Sequence, residues 1–423
     1  MTALASETVR FDELSLADPE VAVLVEAERE RQARTLDMVA SQNVVPAAVL
    51  EAQGSVLTNK YADGYPGRRD YDGCEVVDEV ERLAIARACE LFGADHANVQ
   101  PYSGSSANAA VLHALCKPGE KVLGFDFNHG GHPTHYAKET FAGRFYDALA
   151  YHVHPDTGLV DMDEVADLAA RHRPRVIFAG WSCYPRWLDF AGFRQIADDC
   201  EAALVVDMAH FAGLVAAGVH PDPVPFADAC TMTVHKTLGG ARGGAILCRS
   251  ELAARVDEAV YPGEQGCPLM HVIAAKAVTF RLAASDEFRD RMRRTVEGAA
   301  TVAAGLAAAE PDTQARLLTG GTDVHQLLLE LAIGRPDAPA MLARLNSIGI
   351  TANAIRSPYD KREPPSSSAL RLGTTSLATR GLGPAQFAEV GEIVAGALGS
   401  RFEEEQEELA GRVTALTSAF PPY

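Results

Sequence analysis

Short apolar runs alternate with helical patterns through the middle of the chain. The runs EKVLGFDFN, RVIFAGWS, AALVVDMAH and DACTMTVHK are preceded by ANVQ and followed by GGAILC. Apolar strands separated by helices are typical of a largely parallel sheet covered on both faces. We therefore predict an α/β fold, with ligands at the carboxyl ends of the strands.

The pattern changes on either side of this region. Residues 1–60 predict a helical arm with little core of its own, and residues 61–284 form the predicted large domain. Long helices, an alternating run HQLLLELA and a further helix predict a smaller α/β domain over residues 285–423. Two loops, YADGYPGRRDYDGCE and KREPPSSSA, are rich in glycine or proline and in charge, which is typical of functional loops.

Composition limits the class of protein. The chain has 423 residues, of which 47% are hydrophobic and 22% charged, so two globular domains are expected. A net charge of -19 argues against a nucleic-acid binder. No apolar run is long enough to span a membrane. Eight cysteines without a CxxC pair, and a start without a signal pattern, predict a reducing cytoplasm.

Reactive side chains stand where the predicted strands end. Lys236 follows the run DACTMTV, and burial there would lower the pKa of its amine and make it a nucleophile toward carbonyls. Asp207 ends the run ALVVD, and His210 follows three residues later. Because Asp207 would be buried there, its carboxylate needs a partner. A protonated pyridine nitrogen would be such a partner.

Two further motifs point the same way. Ser103, Gly104 and Ser105 follow a strand and open a helix, which is a favourable position for a phosphate group. The motif HGGH places the imidazole of His132 beside glycines that allow a flat ring to approach. Each feature alone has an ordinary explanation as a surface lysine, a common turn or a satisfied polar group. Together, at one edge of one sheet, they indicate pyridoxal phosphate held as a Schiff base.

The motifs then match a known family. The segments EAQGSVLTNKYADGYPG, HGGHPTH, VDMAHFAGLVAAGVHP, TVHKTLGGARGG, YPGEQGCPLMHVIAAKAV and LRLGT resemble the serine hydroxymethyltransferase family of fold-type-I pyridoxal phosphate enzymes. The resemblance runs from about Val39 to Arg380. It implies the aspartate-aminotransferase-like architecture, with an N-terminal arm, a large cofactor-binding domain and a smaller C-terminal domain.

The resemblance also implies roles for individual residues. It makes Lys236 the Schiff-base lysine, Asp207 the partner of the ring nitrogen, and His132 the group that stacks on the ring. Asp63, or a water that it holds, would manage the β-hydroxyl proton, with His132 as the other candidate, and Tyr71 is a further catalytic and substrate-binding residue. His210 and Ser182 would bind the ring hydroxyl, and Arg371 and Ser41 would bind the substrate carboxylate. The phosphate would be bound by Ser103, Gly104, Ser105 and His235. A second subunit would contribute Tyr61, Gln265 and Gly266.

Departures from the family concentrate on one side of the pocket. The catalytic glutamate of the family motif KYAEGYPG is Asp63 here, and the two tyrosines of RYYGGCE become Asp70 and Tyr71, with Asp72 after them. By resemblance, Phe127 and Pro133 replace leucines that flank folate. Ile355 replaces an asparagine that binds the pterin ring, and an unpaired pterin donor would cost about 1–3 kcal/mol.

We therefore expect a folate-independent transaldolase or aldolase. It would cleave a β-hydroxy-α-amino acid, expected to be L-threonine, to release acetaldehyde, and would add the glycine carbanion to another aldehyde. Asp70, Asp72 and Arg356 either face a polar aldehyde or are solvated loop charges. The alternatives are a true serine hydroxymethyltransferase that uses tetrahydrofolate and a catalytically silent binding protein. The resemblance implies an obligate homodimer with shared active sites, possibly paired into a tetramer, and we predict no metal site.

Overall fold

The computed structural model describes residues 12–332, 337–360 and 367–423. Residues 361–366 contain most of the predicted proline-serine loop, which therefore lies outside the described residues. Three helices occupy the N-terminal region, at Asp12–Ala17, Pro19–Arg34 and Ala47–Gln53.

A mixed sheet of seven strands forms the centre of the molecule. In spatial order the strands are His96–Asn98, Gly244–Cys248, Ala229–Thr233, Ala203–Asp207, Val176–Gly180, Lys121–Phe125 and Asp147–Tyr151. Gly244–Cys248 runs antiparallel to both of its neighbours, and the other recorded pairings are parallel. The predicted α/β fold with a mainly parallel sheet is confirmed.

The structure corrects the sequence prediction at two points of this sheet. The edge strand Asp147–Tyr151 was not predicted, and in the structure only Tyr151 of its five residues is fully buried. The strand before Lys236 ends at Thr233, so the lysine lies in the following turn rather than at the end of the strand. The turn brings Lys236 past the sheet edge, into the space where a ligand binds.

Helices cover both faces of the large sheet. They are Glu75–Phe92, Gly104–Leu115, Phe141–Phe145, Met162–His172, Phe190–Cys200, Ala212–Ala216, Ala253–Glu258 and Met270–Ala283. Separate apolar clusters on the two faces contain Phe193 and Met232 on one side and Val111 and Phe178 on the other. Burial on both faces explains why the inner strands read as continuous apolar runs.

A smaller sheet organises the C-terminal region. Its order is Ala315–Leu317, Gln326–Leu331, Ala369–Gly373 and Asn353–Ile355, with every pairing antiparallel. The helices Ala338–Ser347, Thr375–Thr379, Pro384–Leu398 and Phe402–Ala419 belong to this region. Fold-type-I architecture with a second, smaller sheet is thus present.

The N-terminal segment takes part in this C-terminal core. Leu36 and Met38 are fully buried in the same cluster as the small sheet, and Leu36–Asp37 pairs in parallel with Ile350–Thr351. Helix Asp286–Ala308 contributes Met292 to the core of the large sheet and Leu306 to the C-terminal core. The boundaries predicted after residues 60 and 284 stay predictions.

Two further observations bear on the class of protein. No helix in the described ranges has both the length and the apolarity needed to cross a bilayer. All eight cysteines are free thiols.

Candidate active site

A cavity of about 730 Å³ lies where the carboxyl ends of the large-sheet strands meet the small sheet. Seven of the residues predicted for the site line it: Ser41, His132, Ser182, His210, His235, Lys236 and Arg371. They come from segments far apart in sequence, and the sheet edge brings them together as predicted for an α/β fold.

Asp207 is held as an ionised carboxylate beside this cavity. Asn108 donates a hydrogen bond to Oδ2 over 2.8 Å, Nε2 of His135 lies 3.0 Å from the same oxygen, and the Ala209 amide donates to Oδ1. Burial alone would raise the pKa of Asp207, but the hydrogen bonds from His135 and Asn108 outweigh it and hold the pKa well below its ordinary value. A permanently charged carboxylate is suited to a cationic ring nitrogen.

His135 and Asn108 are functional residues that the sequence reasoning missed. His135 is fully buried and stacks on Phe178, and Asn108 also binds Thr134 and Thr231. The signal was present in both cases. His135 ends the quoted motif HGGHPTH, and Asn108 lies one turn inside the helix that begins after Ser103.

His132, His135 and Asp207 also meet a geometric criterion for metal binding. One ligand atom from each lies within 4.8 Å of the others, although the sequence predicted no metal site. The hydrogen bond between His135 and Asp207 already gives each group a partner.

His132 is a neutral imidazole at the cavity wall. Its Nδ1 lies 2.6 Å from the hydroxyl of Thr134. His132 is also the N-cap residue of a short helical turn at Pro133–His135. Burial lowers the pKa of His132 to about 4, despite the opposing charge of Asp207. The ring is therefore uncharged at neutral pH and can stack on an aromatic group.

The amine of Lys236 is prepared for nucleophilic attack. Burial lowers the pKa of Lys236 to about 8, with Arg371 and Arg242 contributing and Asp207 opposing. Its backbone is fixed because Asn43 donates a hydrogen bond to the Lys236 carbonyl over 2.9 Å. At neutral pH a useful fraction of the amine is uncharged, as Schiff-base formation requires.

The predicted phosphate position adjoins the cavity but does not line it. Ser103 caps helix Gly104–Leu115, with its side chain accepting a hydrogen bond from Ser106 in a capping box. A Cβ on Gly104 would lie 2.8 Å from Cγ2 of Thr233, so only glycine lets the helix start approach the strand that leads to Lys236. Ser105 is exposed in the first turn. A helix start of this kind offers amide groups that can bind an anion, and the phosphate assignment stays a prediction.

A second pair of histidines consists of His210, which lines the cavity, and His325, which does not. Nδ1 of His210 is 3.4 Å from Nε2 of His325, and the two rings stack with Trp181 on the other side. Burial lowers the pKa of His210 well below its ordinary value and that of His325 to about 3. His325 was not predicted, because it follows a glycine-rich turn and not a strand of the large sheet.

Arg371 enters the cavity from the small sheet. Its strand, Ala369–Gly373, lies between two neighbours, and Nε and Nη1 donate to Asn353 and to the Ser182 carbonyl over 2.9 and 2.7 Å. These two bonds orient the guanidinium and leave other N–H groups of its fork for a substrate carboxylate. Ser41 lines the same part of the cavity.

The side chains fit pyridoxal phosphate. Nδ1 of His235 is buried beside the cavity and has no hydrogen-bond partner among the described residues. The ionised Asp207, the neutral His132, the amine of Lys236 and the helix start after Ser103 provide, respectively, a counter-charge, a stacking surface, a nucleophile and an anion position.

A second group of predicted residues does not line the cavity of its own chain. Tyr61 and Tyr71 are 53% and 49% exposed and pack edge to face, with ring centroids 5.0 Å apart. Gln265 is bound to Tyr102 and to the Gln100 carbonyl. Gly266 also belongs to this group. No atom lies within 4 Å of the point where a Cβ on Gly266 would stand, so the residue borders open space.

Asp63 belongs to this second group. Its Oδ1 is buried without a hydrogen-bond partner among the described residues, and burial, with the charge of Asp70, raises the pKa of its carboxyl. A carboxyl that is more easily protonated and faces no partner in its own chain is suited to exchange a proton with a ligand.

Buried ion pairs hold the loop that carries Tyr61, Asp63 and Tyr71. Arg69 binds Asp78 and Glu81 over 2.8 and 2.6 Å, and its own side chain is only 3% exposed. The guanidinium also donates to the carbonyls of Ala62 and Gly64, so the loop is fixed to helix Glu75–Phe92.

Four of the altered positions line the cavity: Phe127, Pro133, Ile355 and Arg356. That they form a folate side of the pocket stays a prediction. Arg356 donates to the Asp360 carbonyl within its own loop.

The other two altered charges do not line this cavity. Asp70 accepts a hydrogen bond from Tyr261, and the carbonyl of Asp72 accepts one from Lys60. The prolines of the REPPSSS segment lie outside the described residues.

Comparison with known proteins gives a consistent result. A family model described as serine hydroxymethyltransferase matches residues 14–394. The chain is 56% identical over 411 residues to a serine hydroxymethyltransferase of Kineococcus radiotolerans, covering 97% of this chain and 94% of that one. It is 54% identical over 419 residues to the protein of the same name from Kocuria rhizophila, covering 99% and 98%.

Proposed function

Because the chain belongs to the serine hydroxymethyltransferase family, we propose that it interconverts serine and glycine with pyridoxal phosphate as cofactor and tetrahydrofolate as the one-carbon carrier. The observation that supports this most directly is the cavity where Lys236, Asp207, His132 and Arg371 converge. Relatives of this name cover nearly the whole chain at 54 to 56% identity. The tetrahydrofolate-dependent alternative is thus better supported than the transaldolase first expected.

The residues around the cofactor would divide the chemistry among them. When bound, pyridoxal phosphate withdraws electrons from Cα of an amino acid attached to it and so weakens the Cα–Cβ bond. Lys236 provides the amine that attaches and releases the aldehyde carbon. Asp207 keeps the ring nitrogen charged because its own pKa is held low. His210 and Ser182 would hold the ring hydroxyl, and His235 and the helix start after Ser103 would hold the phosphate.

Arg371 selects and orients the amino acid. A bidentate contact between the guanidinium and the α-carboxylate would fix the orientation of the bound amino acid. The bonds from Arg371 to Asn353 and Ser182 hold the fork in place before substrate arrives. Orientation of this kind contributes several kcal/mol to catalysis, on the order of other proximity effects.

The β-hydroxyl proton needs a group that can accept and return it. Asp63 has a raised pKa and an unpartnered oxygen, whereas His132 has a pKa of about 4 and is neutral. We assign this proton to Asp63 or to a water that it holds, with His132 as the other candidate.

Two chains would form the complete site. Tyr61, Asp63, Tyr71, Gln265 and Gly266 do not line the cavity of their own chain. A symmetric dimer with an isologous interface would carry the loop of each chain to the cavity of the other. We therefore propose a homodimer with shared active sites. Val56 and Val76 flank the loop that carries Tyr61 and Asp63 and are exposed in the single chain. Exposed apolar side chains of this kind support an interface with a second chain.

A threonine transaldolase remains the second candidate, and one observation favours it. Ile355 lines the cavity wall at the position where the resemblance places a pterin-binding asparagine, together with Phe127 and Pro133. An apolar side chain there offers no acceptor or donor to a pterin edge, which weakens folate binding. On this proposal L-threonine would be cleaved to acetaldehyde and the glycine unit transferred to another aldehyde.

One pair of assays separates the two functions. Purified protein reconstituted with pyridoxal phosphate is given L-serine with and without tetrahydrofolate, and L-threonine with and without a panel of aldehydes. Serine cleavage that accelerates strongly with tetrahydrofolate supports the first proposal. Aldehyde-dependent threonine turnover without a folate effect supports the second.

The control identifies the shared chemistry. Lys236→Ala should lose both activities and the yellow colour of the bound cofactor. If that variant retains full activity, or if wild-type protein stays colourless with pyridoxal phosphate, both proposals are wrong.

A further inference from the structure

The glycine-rich segment TLGGARGG is explained by close packing against helix Met270–Ala283. A Cβ on Gly240 would clash with Thr279, and one on Gly243 would lie 2.6 Å from Cε of Lys276. Neither glycine has a positive φ, so the requirement is for space and not for backbone conformation. The glycines therefore admit two side chains of this helix into the turn after Lys236.

Lys276 is a buried lysine that the proposed chemistry does not use. It is 1% exposed, and its Nζ donates to the carbonyls of Val99, Pro101 and Gly244 over 2.6, 3.0 and 2.8 Å. An ammonium has three N–H donors, so these carbonyls satisfy all of them. Burial lowers the pKa of Lys276 to about 7, with Glu81 opposing, which measures how unfavourable its charge is there.

The three carbonyls belong to the two segments that form the phosphate position. Val99 and Pro101 lead directly into Ser103 and the helix start. Gly244 begins the antiparallel strand, its amide donates to the Pro101 carbonyl, and a Cβ at this position would clash with the Ser103 carbonyl. Lys276 thus ties both segments together without itself lining the cavity.

We propose that Lys276 is a positioning residue for the phosphate end of the cofactor. This inference rests on the proposed function. A buried charge is seldom needed for stability alone, because well-packed apolar groups often replace one without loss. Here it fixes the spacing between the helix start at Gly104 and the strand start at Gly244, and so sets the direction of the amides that face an anion.

The experiment compares a phosphorylated and an unphosphorylated ligand. Wild-type protein and Lys276→Met are freed of cofactor, and binding of pyridoxal phosphate and of pyridoxal is followed by absorbance. We expect the dissociation constant for pyridoxal phosphate to rise at least about tenfold and that for pyridoxal to change less than about twofold.

Two further variants separate positioning from general destabilisation. Phe280→Leu, in the same helix and equally buried, should lower the melting temperature without changing the ratio of the two dissociation constants. Gly243→Ala keeps the charge but displaces the Lys276 side chain, and should reproduce the selective loss. Gly243→Ala also carries the test if Lys276→Met fails to fold.

The outcomes are distinguishable. Equal weakening of both ligands in Lys276→Met and Gly243→Ala, or no weakening in either, would overturn the inference. Wild-type protein that binds neither ligand would overturn the proposed function instead, whatever the variants do.

Discussion

At the scale of single residues, the site is defined by how burial and hydrogen bonding set charge. Asp207 and Lys236 are both beside the cavity, yet the pKa of each is lowered, so one stays charged and the other becomes partly neutral. The sequence predicted both residues because each follows a buried strand. It did not predict His135, since only the folded chain shows that this imidazole completes the partners of Asp207.

A pH dependence of stability follows from the buried histidines. Burial lowers the pKa of His220 to about 4 from 6.5, and its Nδ1 binds the Pro221 carbonyl over 2.8 Å. Because the folded-state pKa is the lower one, the unfolded chain binds the proton first as pH falls below 6.5. Stability should therefore fall between pH 6.5 and 4, by up to about 1.4 kcal/mol per pH unit for each such group.

Chemical denaturation at several pH values checks this prediction. His220→Phe, which keeps a ring to stack on Phe211, should flatten the slope between pH 6.5 and 4. His113→Asn, at an exposed position, should leave the slope unchanged. A slope that is identical in wild type and His220→Phe would contradict the assignment.

Ile355 allows a test of folate recognition by a single side chain. Ile355→Asn adds an amide to the cavity wall, and if folate is the carrier we expect KM for tetrahydrofolate to fall by up to about tenfold, since one hydrogen bond contributes about 0.5–1.5 kcal/mol. Ile355→Val is the matched control and should leave KM unchanged. No effect of Ile355→Asn on any folate parameter would argue that this wall does not contact a pterin.

At the scale of elements, the sequence predicted strands and helices well where apolar runs were continuous. The inner strands of the large sheet are buried on both faces, so their sequences carry the full signal. The edge strand Asp147–Tyr151 is half-buried and was missed. The pairing of Leu36–Asp37 with Ile350–Thr351 joins segments far apart in the chain, and two residues carry too little pattern to predict it.

The loop that carries Asp63 should depend on Arg69. Arg69→Met leaves Glu81, which is fully buried, without its ionic partner, and breaking a buried pair costs about 3–5 kcal/mol. We expect a lower free energy of unfolding and a fall in kcat larger than the change in KM, because the loop is released from its helix. Denaturation and steady-state kinetics measure the two effects.

An exposed arginine on the same helix provides the matched control. Arg82→Met removes ion pairs with Glu79 and Asp78. Because the Arg82 side chain is 48% exposed, the free energy of unfolding should fall by less than about 1 kcal/mol. Kinetics like those of wild type in Arg69→Met would show that the network does not position the loop.

At the scale of the whole molecule, the site draws on every region of the chain. Ser41 comes from the N-terminal region, Lys236 from the large sheet and Arg371 from the small sheet. The resemblance to a family allowed these to be predicted together, whereas residue patterns alone predicted only the edge of the large sheet. The resemblance also assigned Tyr61, Gln265 and Gly266 to a second subunit, and none of the three lines the cavity of its own chain.

Mixed dimers test whether two chains share each site. Chains carrying Lys236→Ala and Asp63→Ala are each expected to be inactive. In a purified hybrid with differently tagged chains, both lesions meet in one site and the other site is intact, so about half of the wild-type activity per dimer should return. A hybrid without activity would show that Asp63 acts within its own chain.

The order of the chain also determines the order in which its parts become available during synthesis. The helix start after Ser103, Lys236 and Lys276 are all translated before Arg371, whose strand is the central partner of two others in the small sheet. The residues assigned to the vitamin-derived group are therefore synthesised before the arginine that is assigned to the amino acid.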